Sequence, residues 1–164
     1  MILALADHPE GIETGPGDHV VYDVAADRAY VGAGRVEGRA LVWELTERPA
    51  ASSVIRCDRV DFPPGGIAYT HTHPGPGLRV LLKGRIRIET EGETHEYAPF
   101  ESWYETGPDP VYAVASETEE TAFVRVLLLP SEWESKRTIR YVDPADDEKP
   151  KLQKARIYFE QRLP

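Results

Sequence analysis

Gly65-Gly66-Ile67-Ala68-Tyr69-Thr70-His71-Thr72-His73-Pro74-Gly75-Pro76-Gly77-Leu78-Arg79-Val80-Leu81-Leu82-Lys83-Gly84 is the stretch on which the reading of this chain turns. A glycine pair opens it, and a short apolar run then carries two histidines at i and i+2. Pro74-Gly75-Pro76-Gly77 turns the chain, and a second apolar run ends at Gly84, a residue suited to a tight hairpin. Side chains alternate between the two faces of a strand, so His71 and His73 project to one side and can offer two imidazoles to a single metal ion. A bare His-x-His is more often a surface feature; the flanking glycines set this one apart.

Outward from that stretch, short apolar runs rich in Val, Ile and aromatics recur: Val20–Val24, Leu41–Leu45, Val54–Phe62, Ile67–His73, Leu78–Leu82, Arg85–Thr90, Thr94–Tyr97, Val111–Ala115 and Ala122–Leu129. In Arg85-Ile86-Arg87-Ile88-Glu89 every second residue is apolar, the period of a half-buried strand. The 14 prolines and 13 glycines fall between the runs as punctuation. Strands separated by turn signals about every ten residues predict an antiparallel sandwich or barrel. No stretch before residue 130 sustains a helical stripe. The fold class is all-β.

The ends differ from the middle. Residues 7–19 are polar and turn-rich, which predicts a loop lying over the domain. After Pro130 the chain becomes charged, with a helical turn expected over Ser131–Lys136 and a proline-bounded connector over Asp143–Pro150. Ile157-Tyr158-Phe159 suggests a late strand that packs on its own barrel or on a second subunit. The expected division is an N-terminal arm with edge strands over 1–35, a barrel over 36–130 and a tail over 131–164, the last a candidate dimer interface. Acidic residues number 28 against 19 basic, a net charge of −9, and the basic residues are scattered, so nucleic acid is not an expected partner. Apolar runs are too short for a membrane span or a signal-peptide core. The single Cys57 excludes an internal disulfide and reads as a buried thiol. These features together predict a cytoplasmic globular protein.

The spacing of Gly65, His71, His73 and Gly84 resembles the first motif of the cupin superfamily, which reads Gly, five residues, His-x-His, three or four residues, Glu, six residues, Gly. The resemblance implies a double-stranded β-helix, or jelly-roll barrel, and a homodimer paired through its sheets. Two positions depart from the pattern. The Glu position is Gly77, or Leu78 under the longer spacing. The histidine of the second motif falls on Pro110 when that motif is anchored on Gly107, and on Tyr104 when it is anchored on Pro99.

Other residues are candidates to complete a site. Glu105 ends the strand of the second motif and is a candidate third ligand or proton carrier, because two histidines and one carboxylate suit iron(II). His95 is the remaining histidine of the barrel region and a candidate ligand. Tyr104 is a candidate for moving a proton, and Tyr69 and Tyr97 for contacting substrate. Alternation carries Arg79 to the side of the histidines, where it pairs with a carboxylate or binds the substrate. Taken with the resemblance, the expectation is a metal-dependent enzyme acting on a small anionic organic molecule, its ion iron, manganese, nickel, zinc or copper. The alternatives are a non-catalytic binding or sensing barrel with weak or no metal, and a scaffold that works through its tail.

Overall fold

The computed structural model describes residues 2–47 and 53–163. The chain runs β1 (Leu3–His8), β2 (Ile12–Thr14), β3 (His19–Asp23), β4 (Arg28–Val31), β5 (Gly34–Val36) and β6 (Ala40–Leu45) before the barrel begins. It continues through β7 (Ser53–Phe62), β8 (Ile67–Thr72), β9 (Gly77–Lys83), β10 (Ile86–Thr90), β11 (Glu93–Tyr97), β12 (Ser102–Glu105), β13 (Val111–Ala115) and β14 (Thr121–Pro130). A 3-10 turn at Ser131–Trp133, β15 (Arg140–Tyr141), a second 3-10 turn at Pro144–Glu148 and β16 (Lys154–Arg162) complete it. No helix among the described residues is long and apolar enough to cross a membrane.

Three sheets stack. A four-stranded sheet in the order β1-β6-β3-β4 covers the outside of a five-stranded sheet, β12-β9-β14-β7-β16, whose other side faces a second five-stranded sheet, β11-β10-β13-β8-β15. The middle sheet is therefore buried on both faces, and its central strand β14 is buried at every residue except its last. One face of that sheet packs Ile55, Cys57, Val80 and Val126 against Leu3, Tyr22, Leu41 and Trp43 of the outer sheet. The alternate residues look inward. Val60, Phe62, Leu81 and Phe123 join Ala68, Ile86, Ile88 and Ala113 of the facing sheet in a second core.

The barrel boundary differs from the expected one. β6 pairs with β1 and β3 rather than with any barrel strand, so Ala40–Leu45 belongs to the outer sheet, and Val36 lies in β5, which pairs with β2; the barrel starts at β7. The tail is not separate either. β15 pairs with β8, and β16 pairs along β7, so the apolar triplet 157–159 adds to the edge of the chain's own barrel. Tyr97 and His95 lie on the two-residue alternation of β11, a strand exposed over its first four residues.

β16 is tied to the outer sheet at Asp27. Its carboxylate accepts hydrogen bonds from Tyr22 Oη (2.7 Å), Tyr158 Oη and Arg156, and Arg59 Nη1 stands 3.3 Å away. Burial works to raise the Asp27 carboxyl, but the hydrogen bonds from Tyr158, Tyr22 and Arg156, with the charge of Arg59, hold it well below the usual carboxylate range. A carboxyl depressed in the folded state adds stability above its unfolded value of about pH 4 and loses it as pH falls through the folded one. Asp27→Asn is therefore expected to lower Tm at pH 7 by roughly 2–4 °C, about 1 kcal/mol for a domain of this size. The gap to wild type should shrink below about pH 4. An equal Tm difference at pH 7 and pH 3 would show that the tie is not ionic.

Candidate functional site

The inner faces of the two five-stranded sheets enclose a cavity of about 510 Å³, a size that takes a drug-sized organic molecule. Its floor is apolar, with Phe62, Ile88, Trp103 and Phe123. Trp103 meets Phe123 edge to face at 5.3 Å and stacks on Tyr97 at 4.9 Å. The wall nearer the mouth is charged: Asp58 on β7, Arg79 on β9, Glu105 on β12 and Arg125 on β14, all buried, with His71 and His73 opposite them.

Local irregularities bring the histidines here. Val111 pairs with His71 but Ala113 pairs with Ala68, so two residues of β13 span three of β8. The extra residue is a β-bulge that returns His71 to the face already taken by Ala68. His73 follows on the same side, its N–H donating to the Gly107 carbonyl (2.7 Å). The two rings lie edge to face, 4.9 Å between centroids.

Both imidazoles have a fixed proton. His71 Nδ1 is 2.7 Å from the Tyr69 carbonyl oxygen and His73 Nδ1 is 3.1 Å from that of Thr138. A carbonyl only accepts, so each neutral ring carries its hydrogen on Nδ1 and keeps the lone pair on Nε2. Burial lowers His71, with the Glu105 carboxylate acting the other way; burial with the charges of Arg125 and Arg79 pushes His73 well down. Both rings are thus neutral near pH 7.

Glu105 supplies the carboxylate. Its Oε1 accepts from Trp103 Nε1 (2.9 Å), and its Oε2 lies 3.7 Å from His73 Nε2 and 2.6 Å from Arg79 Nη2. That last contact is close but not aligned as a hydrogen bond, and both atoms are buried without one. Arg79 Nη1 donates to the Gly77 carbonyl (2.7 Å). Burial pulls the Arg79 guanidinium down to about 10, against the pull of Glu105, so it remains charged at pH 7. Arg125 grips Asp58 with two bonds, 2.6 and 3.1 Å.

The sequence-based candidates therefore separate. His71, His73, Glu105 and Arg79 come together, although Arg79 is engaged by Glu105 and Gly77 rather than standing free for a substrate. His95 does not join them: it sits exposed on β11 with Nε2 3.1 Å from Glu93, because β11 is the edge strand of its sheet and is open to solvent over its first four residues. Tyr104 alternates with Trp103 and Glu105 and so packs on the opposite face, against the core shared with the outer sheet. Tyr69 lies at the bulge, turned outward under the Lys149 ammonium (4.3 Å). Tyr97 backs Trp103 and does not line the cavity. Three participants were missed: Asp58, Arg125 and Arg56. The signal that would have found them is the lone Arg125 in the otherwise apolar β14, and Arg56 and Asp58 two residues apart on one face of β7.

Arg56 also shows what the tail does. It is buried, paired with Glu160, and donates through Nη2 to the carbonyls of Trp133 (3.2 Å) and Lys136 (2.9 Å). With His73 holding Thr138, it straps residues 131–138 across the mouth of the cavity.

A β-barrel with a neutral histidine pair, a buried carboxylate and a small-molecule cavity is the class that fold and site define. Residues 58–127 match the family model described as the cupin domain. No curated protein matches the chain. Among solved structures it is similar to a protein of unknown function from Rhizobium leguminosarum bv. viciae 3841, with 26% identity over 46% of this chain and 70% of that one, TM-score 0.42. It is also similar to the polyketide cyclase RemF from Streptomyces resistomycificus, at 18% identity over 63% and 80% of the two chains, TM-score 0.46. A cupin-like protein from Thermotoga maritima MSB8 shares 15% identity over 57% and 68%, TM-score 0.46.

Proposed function

We propose that the barrel takes up a small organic molecule with an apolar body and an anionic, oxygen-bearing head, and acts on that head with a divalent ion held by His71, His73 and Glu105. The observation that carries this reading is the orientation of the imidazoles. Each donates its Nδ1–H to a carbonyl and keeps a lone pair on Nε2, and that of His73 stands 3.7 Å from the Glu105 oxygen that also faces Arg79. Two neutral imidazoles and one carboxylate are the kind of donor set that iron, manganese, nickel, zinc or copper takes, although among the described residues no three His, Cys, Asp or Glu are grouped to hold an ion as they stand. Such an ion supplies Lewis-acid polarisation of a carbonyl or enol oxygen.

The chain's own residues do the rest. Phe62, Ile88, Trp103 and Phe123 take the apolar body and keep water from it. Arg125 and Arg79 are balanced by Asp58 and Glu105, and the two ion pairs make this wall polar beside the histidines. At the mouth Lys136, Arg137 and Lys151 outnumber Asp147, which faces the latter two, and so offer a local attraction to anions on a chain whose net charge is −9. A binding or sensing barrel is the second reading, and one observation favours it: Glu105 already faces the Arg79 cation.

Elemental analysis of protein purified without a metal-affinity tag tests the proposal, alongside the His71→Ala, His73→Ala double variant. Near one equivalent of a transition ion is expected in the wild type and none in the variant, with unchanged far-UV circular dichroism. If both are metal-free and added divalent ions shift neither Tm, the metal-dependent reading falls. An organic acid that raises Tm unaided would then favour the binding reading.

A further inference from the structure

Arg56 and Glu160 are cross-strand partners on β7 and β16, and both side chains are buried or nearly so. Glu160 does not line the cavity. Its Oε1 accepts from Arg56 Nε (2.6 Å), and its two oxygens accept from the Ser135 N–H (3.2 and 3.0 Å) and the Ser135 hydroxyl (3.3 Å). These bonds close on a turn. The Lys136 N–H donates to the Trp133 carbonyl (3.1 Å), with Glu134 at φ −55°, ψ 131° and Ser135 at φ +59°. That is a type II turn with serine where glycine is favoured, since left-handed backbone crowds a Cβ. The surroundings hold the strained residue in place. Glu160 takes the amide and hydroxyl of Ser135, while Arg56 Nη2 takes the carbonyls at the two ends of the turn, Trp133 and Lys136.

The turn delivers Lys136 to the mouth of the cavity. The other two cations of the rim are occupied. Arg137 faces Asp147 (3.3 Å), and Lys151 Nζ donates to the carbonyls of Asp146, Asp147 and Lys149. Among the described residues no carboxylate pairs with Lys136, whose side chain is exposed. We infer that Glu160 is a positioning residue for ligand uptake: from outside the cavity it fixes the turn 133–136 through Ser135 and Arg56, and so holds the Lys136 ammonium where an anionic head enters. The inference rests on the reading that the barrel takes up a small molecule with an anionic head, and deepens it without any metal ion. Attraction between charges falls with distance, so an ammonium that swings away with a loosened turn no longer contributes.

Calorimetric titration with 2-naphthoate and with its uncharged analogue 2-naphthamide tests this. Both offer the same flat apolar body to Phe62, Trp103 and Phe123, and only the first is an anion. By charge alone Glu160→Gln, which removes a carboxylate from the tail, should tighten naphthoate binding. A positioning role predicts the reverse: naphthoate bound about threefold more weakly, the size of an exposed ion pair, with naphthamide unchanged. Adding Ser135→Gly to Glu160→Gln should restore the affinity, because glycine takes the left-handed conformation without help from a carboxylate. Lys136→Gln alone should show the same selective loss, and combined with Glu160→Gln should take away nothing more; it keeps the test open should Glu160→Gln fold poorly. Naphthoate binding unchanged or tighter in Glu160→Gln, or unaffected by Lys136→Gln, overturns the inference and leaves uptake of an anionic molecule standing. Equal loss of both probes in Glu160→Gln also overturns it, since the residue would then support the cavity as a whole. If wild type binds neither probe, or binds naphthamide as well as naphthoate, the anionic-head reading falls and the inference falls with it.

Discussion

Asp58→Asn is expected to destabilise the protein by about 3–5 kcal/mol, the range seen when one partner of a buried ion pair is removed. Asp58 and Arg125 lie on adjacent strands of the middle sheet, as cross-strand partners, and their side chains are 2% and 9% exposed. Both carboxylate oxygens are engaged, at 2.6 and 3.1 Å, by two nitrogens of one guanidinium. Asparagine keeps the shape and loses the charge, so Arg125 is left in a wall that also holds Arg79, with Glu105 as the one nearby carboxylate for two guanidinium groups. Burial of Arg125 without Asp58 is the unfavourable term; loss of attraction is the smaller one. Asp58→Leu with Arg125→Met removes both charges, and its stability should lie within about 1 kcal/mol of wild type or above it. Urea unfolding of the three proteins checks this. A single variant as stable as the double one would mean that water entering the cavity mouth already solvates Arg125.

The barrel was legible because its strands obey two simple rules. Arg85–Glu89 alternates, and the glycines at 65 and 84 turn the chain with φ of +73° and +77° where other residues strain. The outer sheet was harder to read. β6 and β7 look alike as sequence, short apolar runs with a turn between them, and only the pairing of β6 with β1 and β3 places it outside the barrel. Nothing local distinguishes a strand that closes one sheet from a strand that opens the next.

Within the site, His71 and His73 were found by spacing, yet spacing alone does not reveal the bulge that turns His71 inward. Arg79 and Glu105 were reached by alternation, which is a rule about faces. Their mutual contact is a rule about registers, and it depends on Glu105 pairing with Gly77. Tyr104 failed for the reason that Glu105 succeeded: adjacent residues on one strand cannot both face the cavity. His95 had the right chemistry on the wrong strand. β11 is the outermost strand of its sheet, and histidine there meets solvent.

Gly107→Ala is expected to cost more stability than Gly65→Ala and to displace His73. Both glycines hold positive φ, +107° at Gly107 and +73° at Gly65, so alanine is strained at either, by about 1–2 kcal/mol. They differ in what surrounds them. A Cβ on Gly65 would meet nothing within 4 Å, whereas one on Gly107 would stand 2.5 Å from the Gly75 carbonyl oxygen. Gly75 has no room to retreat, since its own Cβ direction is closed by the Leu128 carbonyl. Three backbone segments therefore meet at van der Waals contact, and no flexible side chain can give way. Crowding of this kind adds about 1–3 kcal/mol, bringing the Gly107→Ala total to about 2–5 kcal/mol. The functional consequence follows from the same geometry. The Gly107 carbonyl accepts the His73 N–H, and the Pro74–Gly77 turn it presses on leads into the strand that carries Arg79. Moving one moves the histidine relative to the carboxylate. Gly65→Ala should then lower Tm modestly and leave metal content unchanged, while Gly107→Ala lowers both. Equal losses of stability, with metal content intact in each, would show that the loop yields as a unit and that the histidine is positioned by its bond to Thr138 alone.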